Sequence, residues 1–125
     1  MNEYVEAADL RSALRRFLRR AEEIARRHDL TPRQYLVLLM IRASDERGAH
    51  ATITDLVERL SLTQSTVTEL VQRAQDAGLI ERTPSPDDGR VVHLSLSPIG
   101  NERLERAFTE LGPERELLLR LLRGQ

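Results

Sequence analysis

The chain has 125 residues and a formal net charge of −1, with 40% hydrophobic and 31% charged residues. That length suits a single soluble domain, residues 1–125, burying roughly two-thirds of its unfolded surface. Cysteine is absent, which excludes disulfides, a thiol switch, a cysteine nucleophile and a zinc–thiolate site. No apolar run approaches the ~20 residues needed to cross a bilayer. The opening "MNEYVEAADLRSALRRFLRR" lacks the apolar stretch of a signal peptide, so the cytoplasm is the expected compartment. His28, His50 and His93 lie far apart in sequence without metal-ligand spacing. Each is expected to be a surface or hydrogen-bonded histidine, and no metal or cofactor is expected. The overall charge gives no nucleic-acid signal, but its distribution is uneven: residues 11–27 carry seven arginines against two glutamates.

A first helix is predicted from about Glu3 to His28. Leu10, Leu14, Phe17, Leu18, Ala21, Ile24 and Ala25 recur at three- and four-residue steps and form one apolar stripe, which needs a partner in the domain or in another subunit. A second helix, 32–43, has its start written out: Thr31 as N-cap, Pro32 in the first turn, and Gln34 completing a T-x-x-Q capping box. Tyr35, Leu36, Leu38, Leu39, Met40 and Ile41 make it apolar nearly all round, so it should be central. Residues 44–51, "SDERGAHA", read as a polar loop.

Thr54 is read as the cap of a short helix, 55–60, with Leu56, Val57 and Leu60 inward. Ser61 and Leu62 connect it tightly to a longer helix capped by Thr63 and stopped by Gly78. Two helices joined this closely form a helix-turn-helix, whose second helix enters a DNA groove. After Gly78 the apolar period changes to alternation. "LIERT" and "VVHLSLS" read as strands around "PSPDDGR", a turn-rich tip. The pair is a β-hairpin wing. Ser97 and Pro98 then start a further helix with Ile99, Leu104, Ala107, Phe108 and Leu111 on its inner face, interrupted by Gly112. A last helix carries Leu117, Leu118, Leu119, Leu121 and Leu122, too many leucines for one stripe, which argues for burial in an oligomer.

This order of elements resembles the MarR family of transcriptional regulators. The resemblance is densest over 52–108: the helix-turn-helix, the Gly-Leu-Ile-x-Arg lead-in to the wing, the D-x-R motif at Asp88, Gly89 and Arg90, and the L-S-x-x-G start of the next helix. It implies a mainly α fold with a small β-wing. In it residues 31–96 form a winged helix-turn-helix lobe, and helices over 3–28 and 97–123 mediate dimerisation. It also implies a homodimeric regulator, most often a repressor, on a pseudo-palindromic double-stranded DNA operator. In many such proteins a small aromatic or anionic ligand releases the DNA. The dimer residues implied are Leu10, Leu14, Phe17, Leu117, Leu118, Leu121 and Leu122. The ligand cleft would draw on Phe17, Tyr35, Met40 and Phe108, aromatic and apolar residues that equally suit a core.

The residues themselves support DNA contact. Thr63, Ser65, Thr66 and Thr68 carry hydroxyls short enough for close approach to phosphate at a helix N-terminus. Gln64 and Gln72 can pair with adenine edges, and Arg73 can reach phosphate or guanine. Arg90 at the wing suits a narrow minor groove, with Asp88 holding its side chain. Their structural alternatives are a helix cap and an exposed hairpin ion pair worth less than ~1 kcal/mol. Two positions depart from the family pattern: Glu69 and Gly89 stand where many relatives carry basic residues. Residues 54–92 hold four arginines against seven acidic residues, a poor balance for counterion release. Glu69 either accepts from a cytosine amino group or faces solvent and repels phosphate. No nucleophile–base set or phosphate loop points to an enzyme. The acidic balance leaves one rival reading, a winged helix used only for protein–protein contact.

Overall fold

The computed structural model of the chain describes residues 2–124. The elements run α1 (Glu3–Arg27), α2 (Pro32–Glu46), α3 (Ile53–Leu60), α4 (Gln64–Asp76), β1 (Ile80–Pro84), β2 (Val92–Leu96), α5 (Pro98–Glu110) and α6 (Gly112–Leu122). No helix is long and apolar enough to cross a membrane among the described residues.

Helix α2 is the hub: α1, α3, α4, α5 and β2 all pack on it. Its Val37, Leu38 and Ile41 are fully buried and join Ile24, Leu56, Val67, Val71, Leu79 and Leu94 in one core. The capping box forms as the sequence implies. Gln34 N donates to Thr31 Oγ1 at 3.0 Å, and Thr31 N donates to Gln34 Oε1 at 2.9 Å. Tyr35 is buried beside them, and burial raises the pKa of its phenol, partly offset by Arg115.

Three boundaries differ from the sequence reading. Helix α2 continues through Ser44, Asp45 and Glu46 instead of ending at residue 43. Polarity does not end a helix; a left-handed residue does. Gly48, at φ 77°, supplies it, with Gly48 N on Asp45 O and Ala49 N on Ser44 O, while Arg42 and Glu46 pair across the last turn. Helix α3 is capped by Thr52, not Thr54. Asp55 stands three residues after Thr52 and returns the bond, Thr52 N to Asp55 Oδ2 at 3.0 Å and Asp55 N to Thr52 Oγ1 at 3.2 Å. Thr54 has Val57 at that spacing, which has no acceptor to offer. Finally, Gly112 opens α6, and the break falls at Leu111. Pro113 is the cause, since it cannot donate to the carbonyl four residues back.

On α5 the inner face is Gly100, Leu104, Ala107 and Leu111. Ile99 and Phe108, expected inward, are 51% and 41% exposed. Ile99 lies five residues before Leu104 and falls off the stripe; Phe108 follows Ala107 and is turned about 100° from it. Its ring is covered by the Arg115 guanidinium, 3.7 Å from the centroid.

The wing is a two-stranded antiparallel hairpin with Ile80 opposite Leu96 and Pro84 opposite Val92. Ala51 adds a bridge to Leu94. Next to that bridge His50 and His93, distant in sequence, stack with ring centroids 4.3 Å apart and 8° between planes.

The wing root is joined to both neighbouring helices by Ser97. Its hydroxyl donates to Gly78 O at 2.6 Å and accepts from Gly100 N at 3.0 Å, while Ser97 N donates to Leu79 O at 3.0 Å. A Cβ on Gly100 would lie 2.1 Å from Leu79 O, so only glycine fits there.

The outer helices contribute less to the core. Helix α1 buries Ile24 and Ala25 and leaves Leu10, Leu14 and Leu18 exposed; α6 buries none of its residues. A polar clasp holds α1 to the C-terminal helices: Arg20 pairs with Glu114 at 3.2 Å, and Glu110 accepts from Arg27 and pairs with His28 Nε2 at 2.9 Å. The His28 hydrogen bond, and then Arg27, hold the Glu110 carboxyl below its ordinary pKa.

The cap assignment is testable. Thr52→Ala should lower stability by about 1 kcal/mol, read as a melting temperature a few degrees lower, while Thr54→Ala should leave it nearly unchanged.

Candidate nucleic-acid interface

Helix α4 is two-sided because its apolar residues fall at helical spacing. Val67, Val71 and Ala74 are buried, and Leu70 packs partly against the same core. That leaves Gln64, Ser65, Thr68, Glu69, Gln72 and Arg73 together on one shallow open surface. The connection behind it is tight because Ser61 adopts left-handed backbone, φ 54°, with Leu62 half-buried beneath.

Thr63 caps the helix, Thr66 N donating to Thr63 Oγ1 at 3.3 Å. The Thr63 hydroxyl donates to Thr66 Oγ1 at 2.9 Å and lies 3.3 Å from Ser65 Oγ. Thr66 is half-buried and engaged in this cap, so it stands apart from the open face that its neighbours line. The free N–H groups of the first turn and these hydroxyls form a donor-rich end, the arrangement a phosphate accepts.

Charges on the face are already paired. Glu69 bonds Arg73 one turn on, Oε1 to Nη2 at 2.5 Å. Gln72 donates from Nε2 to Asp76 at 2.9 Å and accepts from Arg82 Nη2 at 3.3 Å. In the sequence Arg82, on β1, reads only as a charge and as the arginine of the Gly-Leu-Ile-x-Arg lead-in. Nothing in a linear pattern shows that the turn at Gly78 folds it back onto α4.

At the wing tip, Asp87 N and Asp88 N donate to Ser85 Oγ, and Ser85 N donates to Val91 O at 2.8 Å. Asp88 Oδ1 accepts from Arg90 N at 3.0 Å and Arg90 Nε at 3.4 Å. The Arg90 side chain is nevertheless 93% exposed: its root is fixed and its outer nitrogens are free. The side chains of Ser85 and Asp88 build this turn, and Gly89 does not use left-handed backbone.

The wing helix-turn-helix geometry has counterparts among known proteins. A model of the MarR family matches residues 28–91, just over half the chain. The chain belongs to the MarR family. It is 29% identical over 109 residues to the HTH-type transcriptional repressor IacR of Pseudomonas putida, covering 87% of this chain and 61% of that protein. It is 30% identical over 107 residues to the Bacillus subtilis HTH-type transcriptional regulator YsmB, covering 82% of this chain and 70% of that protein. The chain thus spans 61% and 70% of the length of these two relatives. Among solved structures, a mutant MarR from E. coli complexed with operator DNA superposes with a TM-score of 0.71 at 25% identity, over 94% of this chain and 85% of that one. The chain has the winged-helix fold of that family, and these relatives are bacterial proteins.

The four residues expected to line a ligand cleft do not meet in one chain. Phe17 faces a hollow between α1 and α6 with Leu117, Leu118 and Leu121. Phe108 lies instead on a concavity of about 520 Å³ between α2 and α5, with Leu39, Arg42 and Arg47. Tyr35 is in the core and Met40 is half-buried against it.

Glu69 is the discordant group on the open face. Glu69→Gln releases Arg73 and removes a negative charge, so binding to a scrambled duplex should tighten and depend more steeply on salt. Titration over single-base variants separates its two roles: flattened preference at one base pair marks a base contact.

Proposed function

We propose that the chain is a homodimeric, sequence-specific repressor that binds a pseudo-palindromic operator. The observation that carries this reading is α4: a buried apolar stripe opposite an open face of hydroxyls, amides and one Glu–Arg pair. Thr63, Gln64, Ser65, Thr68, Glu69, Gln72 and Arg73 would enter the major groove. Gln64 and Gln72 read base edges and the hydroxyls approach phosphate. Arg90, positioned by Asp88, would enter the adjacent minor groove. Residues 31–96 serve as the DNA-reading lobe, and the helices within 3–28 and 97–123 as the dimerisation unit.

Support for dimerisation comes from the uncovered leucines. Leu10 and Leu14 on α1, and Leu117, Leu121 and Leu122 on α6, are all exposed, Leu117 to 65% and Leu122 to 60%. Phe17 and Leu118 sit at the edge of the same surface. A second subunit of the same chain covers such a stripe at both places. A small ligand bearing an aromatic or anionic group is the proposed effector. The concavity between α2 and α5 has the size of small-molecule sites, with an apolar floor, Arg47 at its rim, and Arg42 paired there with Glu46 and Glu105.

The excess of acids over arginines across 54–92 favours the protein–protein alternative, so the decisive test is DNA binding. The chain should bind a palindromic duplex with half-site centres about 10 bp apart, in a salt-dependent manner, and should not bind a scrambled duplex. Arg90→Ala should weaken that binding about tenfold, on the scale of one good groove contact, with the melting temperature unchanged. Equal affinity for both duplexes would sink the reading.

Replacing Leu117 and Leu121 together with glutamate should give a particle of 14.3 kDa by light scattering. The parent chain should give twice that mass.

A further inference from the structure

The amide of Gln72 is held at both ends by groups of opposite capability. Arg82 Nη2 lies 3.3 Å from Gln72 Oε1, and Asp76 Oδ1 lies 2.9 Å from Gln72 Nε2. A guanidinium only donates and a carboxylate only accepts. Turning the amide over would set donor against donor and acceptor against acceptor, so one orientation is imposed: oxygen toward the wing, nitrogen toward the end of α4.

Arg82 is placed to do this. It lies on β1 opposite Leu94, in the strand that packs against α4. Its Nε is buried and has no hydrogen-bond partner. With Nε enclosed, the side chain runs along the seam between β1 and α4 instead of projecting outward as Arg90 does. Asp76, one turn along α4 from Gln72, completes the support.

Each end of the amide keeps one unused site, a lone pair on Oε1 and a hydrogen on Nε2. Together they match an adenine edge, which donates from N6 and accepts at N7. An amide free to flip can offer this pair in either order along the groove. One with a fixed orientation offers it in a single order.

We infer that Arg82 is a positioning residue that locks the Gln72 amide in one orientation and so decides on which strand its adenine lies. The DNA consequence rests on the proposed groove-reading role of α4; the locking itself does not.

The test therefore has two parts, both on the full chain. The variant is Arg82→Met, which keeps an aliphatic stem in the seam and removes every donor, with circular dichroism to confirm folding. In the free protein, the side-chain amide protons of Gln72, assigned by their loss in Gln72→Ala, should be shifted from solvated values in the parent. They should move part of the way toward solvated values in Arg82→Met, where Asp76 still accepts from Nε2. An unchanged Gln72 resonance overturns the locking.

The second part uses duplexes selected from a randomised pool by the parent protein. At one base pair of each half-site the parent should prefer A·T over T·A by about tenfold. Arg82→Met should reduce that preference below about threefold while leaving other positions alone, and Gln72→Ala should flatten the same position. A loss of equal size on every duplex, with a smaller salt slope, overturns the inference by making Arg82 a phosphate contact. If the parent selects no duplex, the DNA reading fails, and the resonance of Gln72 still decides the locking.

Discussion

The junction around Ser97 is the constraint on which the rest of the structure depends. Four chain segments meet there: the stop of α4 at Gly78, the first wing residue Leu79, the end of β2, and the start of α5. One hydroxyl serves two of them, donating to Gly78 O and accepting from Gly100 N. The neighbouring backbone bond from Ser97 N to Leu79 O closes the joint. Removing that hydroxyl would leave the partly covered Gly78 carbonyl and the buried Gly100 N–H without a partner, the second at a cost well above the value of a surface contact. Gly100 makes the approach possible, because any side chain would collide with Leu79 O. Helix α4 and the wing therefore cannot move independently at their shared root, whatever freedom the wing tip has.

The electrostatics of the lobe follow from how its few arginines are used. Arg73 is tied to Glu69, Arg90 to Asp88, and Arg82 to Gln72. The first two are exposed pairs of the kind that contributes little stability, so exchanging a carboxylate for a phosphate costs little. The lobe nevertheless carries more acids than bases. Nonspecific attraction to a polyanion, which scales with the phosphates neutralised, is correspondingly small. In the proposed complex, discrimination would then come from the hydroxyls and amides of α4.

The legible parts of the sequence were those governed by local chemistry. The cap at Thr31, the Ser97–Pro98 start and the alternation of the wing strands each depend on residues within a few positions of one another. Where two local readings competed, reciprocity decided: Thr52 has an acidic partner at the third position and Thr54 does not. Helix α2 runs past the polar residues 44–46 because polarity is no stop; its stop is Gly48 in left-handed backbone. Ile99 and Phe108 are apolar, but their angular positions on α5 leave them exposed. Contacts made through the tertiary fold were out of reach. His50 and His93 meet only because Ala51 bridges to Leu94, and Arg82 reaches Gln72 only because the chain reverses at Gly78. The leucines of α6 pointed to an outward apolar surface, and that surface is present, but which molecule covers it lies outside what one chain displays.

Helix α5 connects the two halves of the molecule. Its first turn is fixed to the end of α4 through Ser97 and Gly100. Its last turn is fixed to α1 through Glu110, which holds both Arg27 and His28. Between these ends Leu104 and Ala107 are packed into the core under α2, leaving no room to bend without opening a cavity. A rigid member anchored at both ends carries displacement from one to the other. In the proposed dimer the separation of the two recognition helices is then set by how α1 and α6 pack across subunits. The concavity between α2 and α5 lies along that same connecting member. A ligand seated there would alter groove spacing only by changing how α5 rests on α2, because both ends of α5 are already tied.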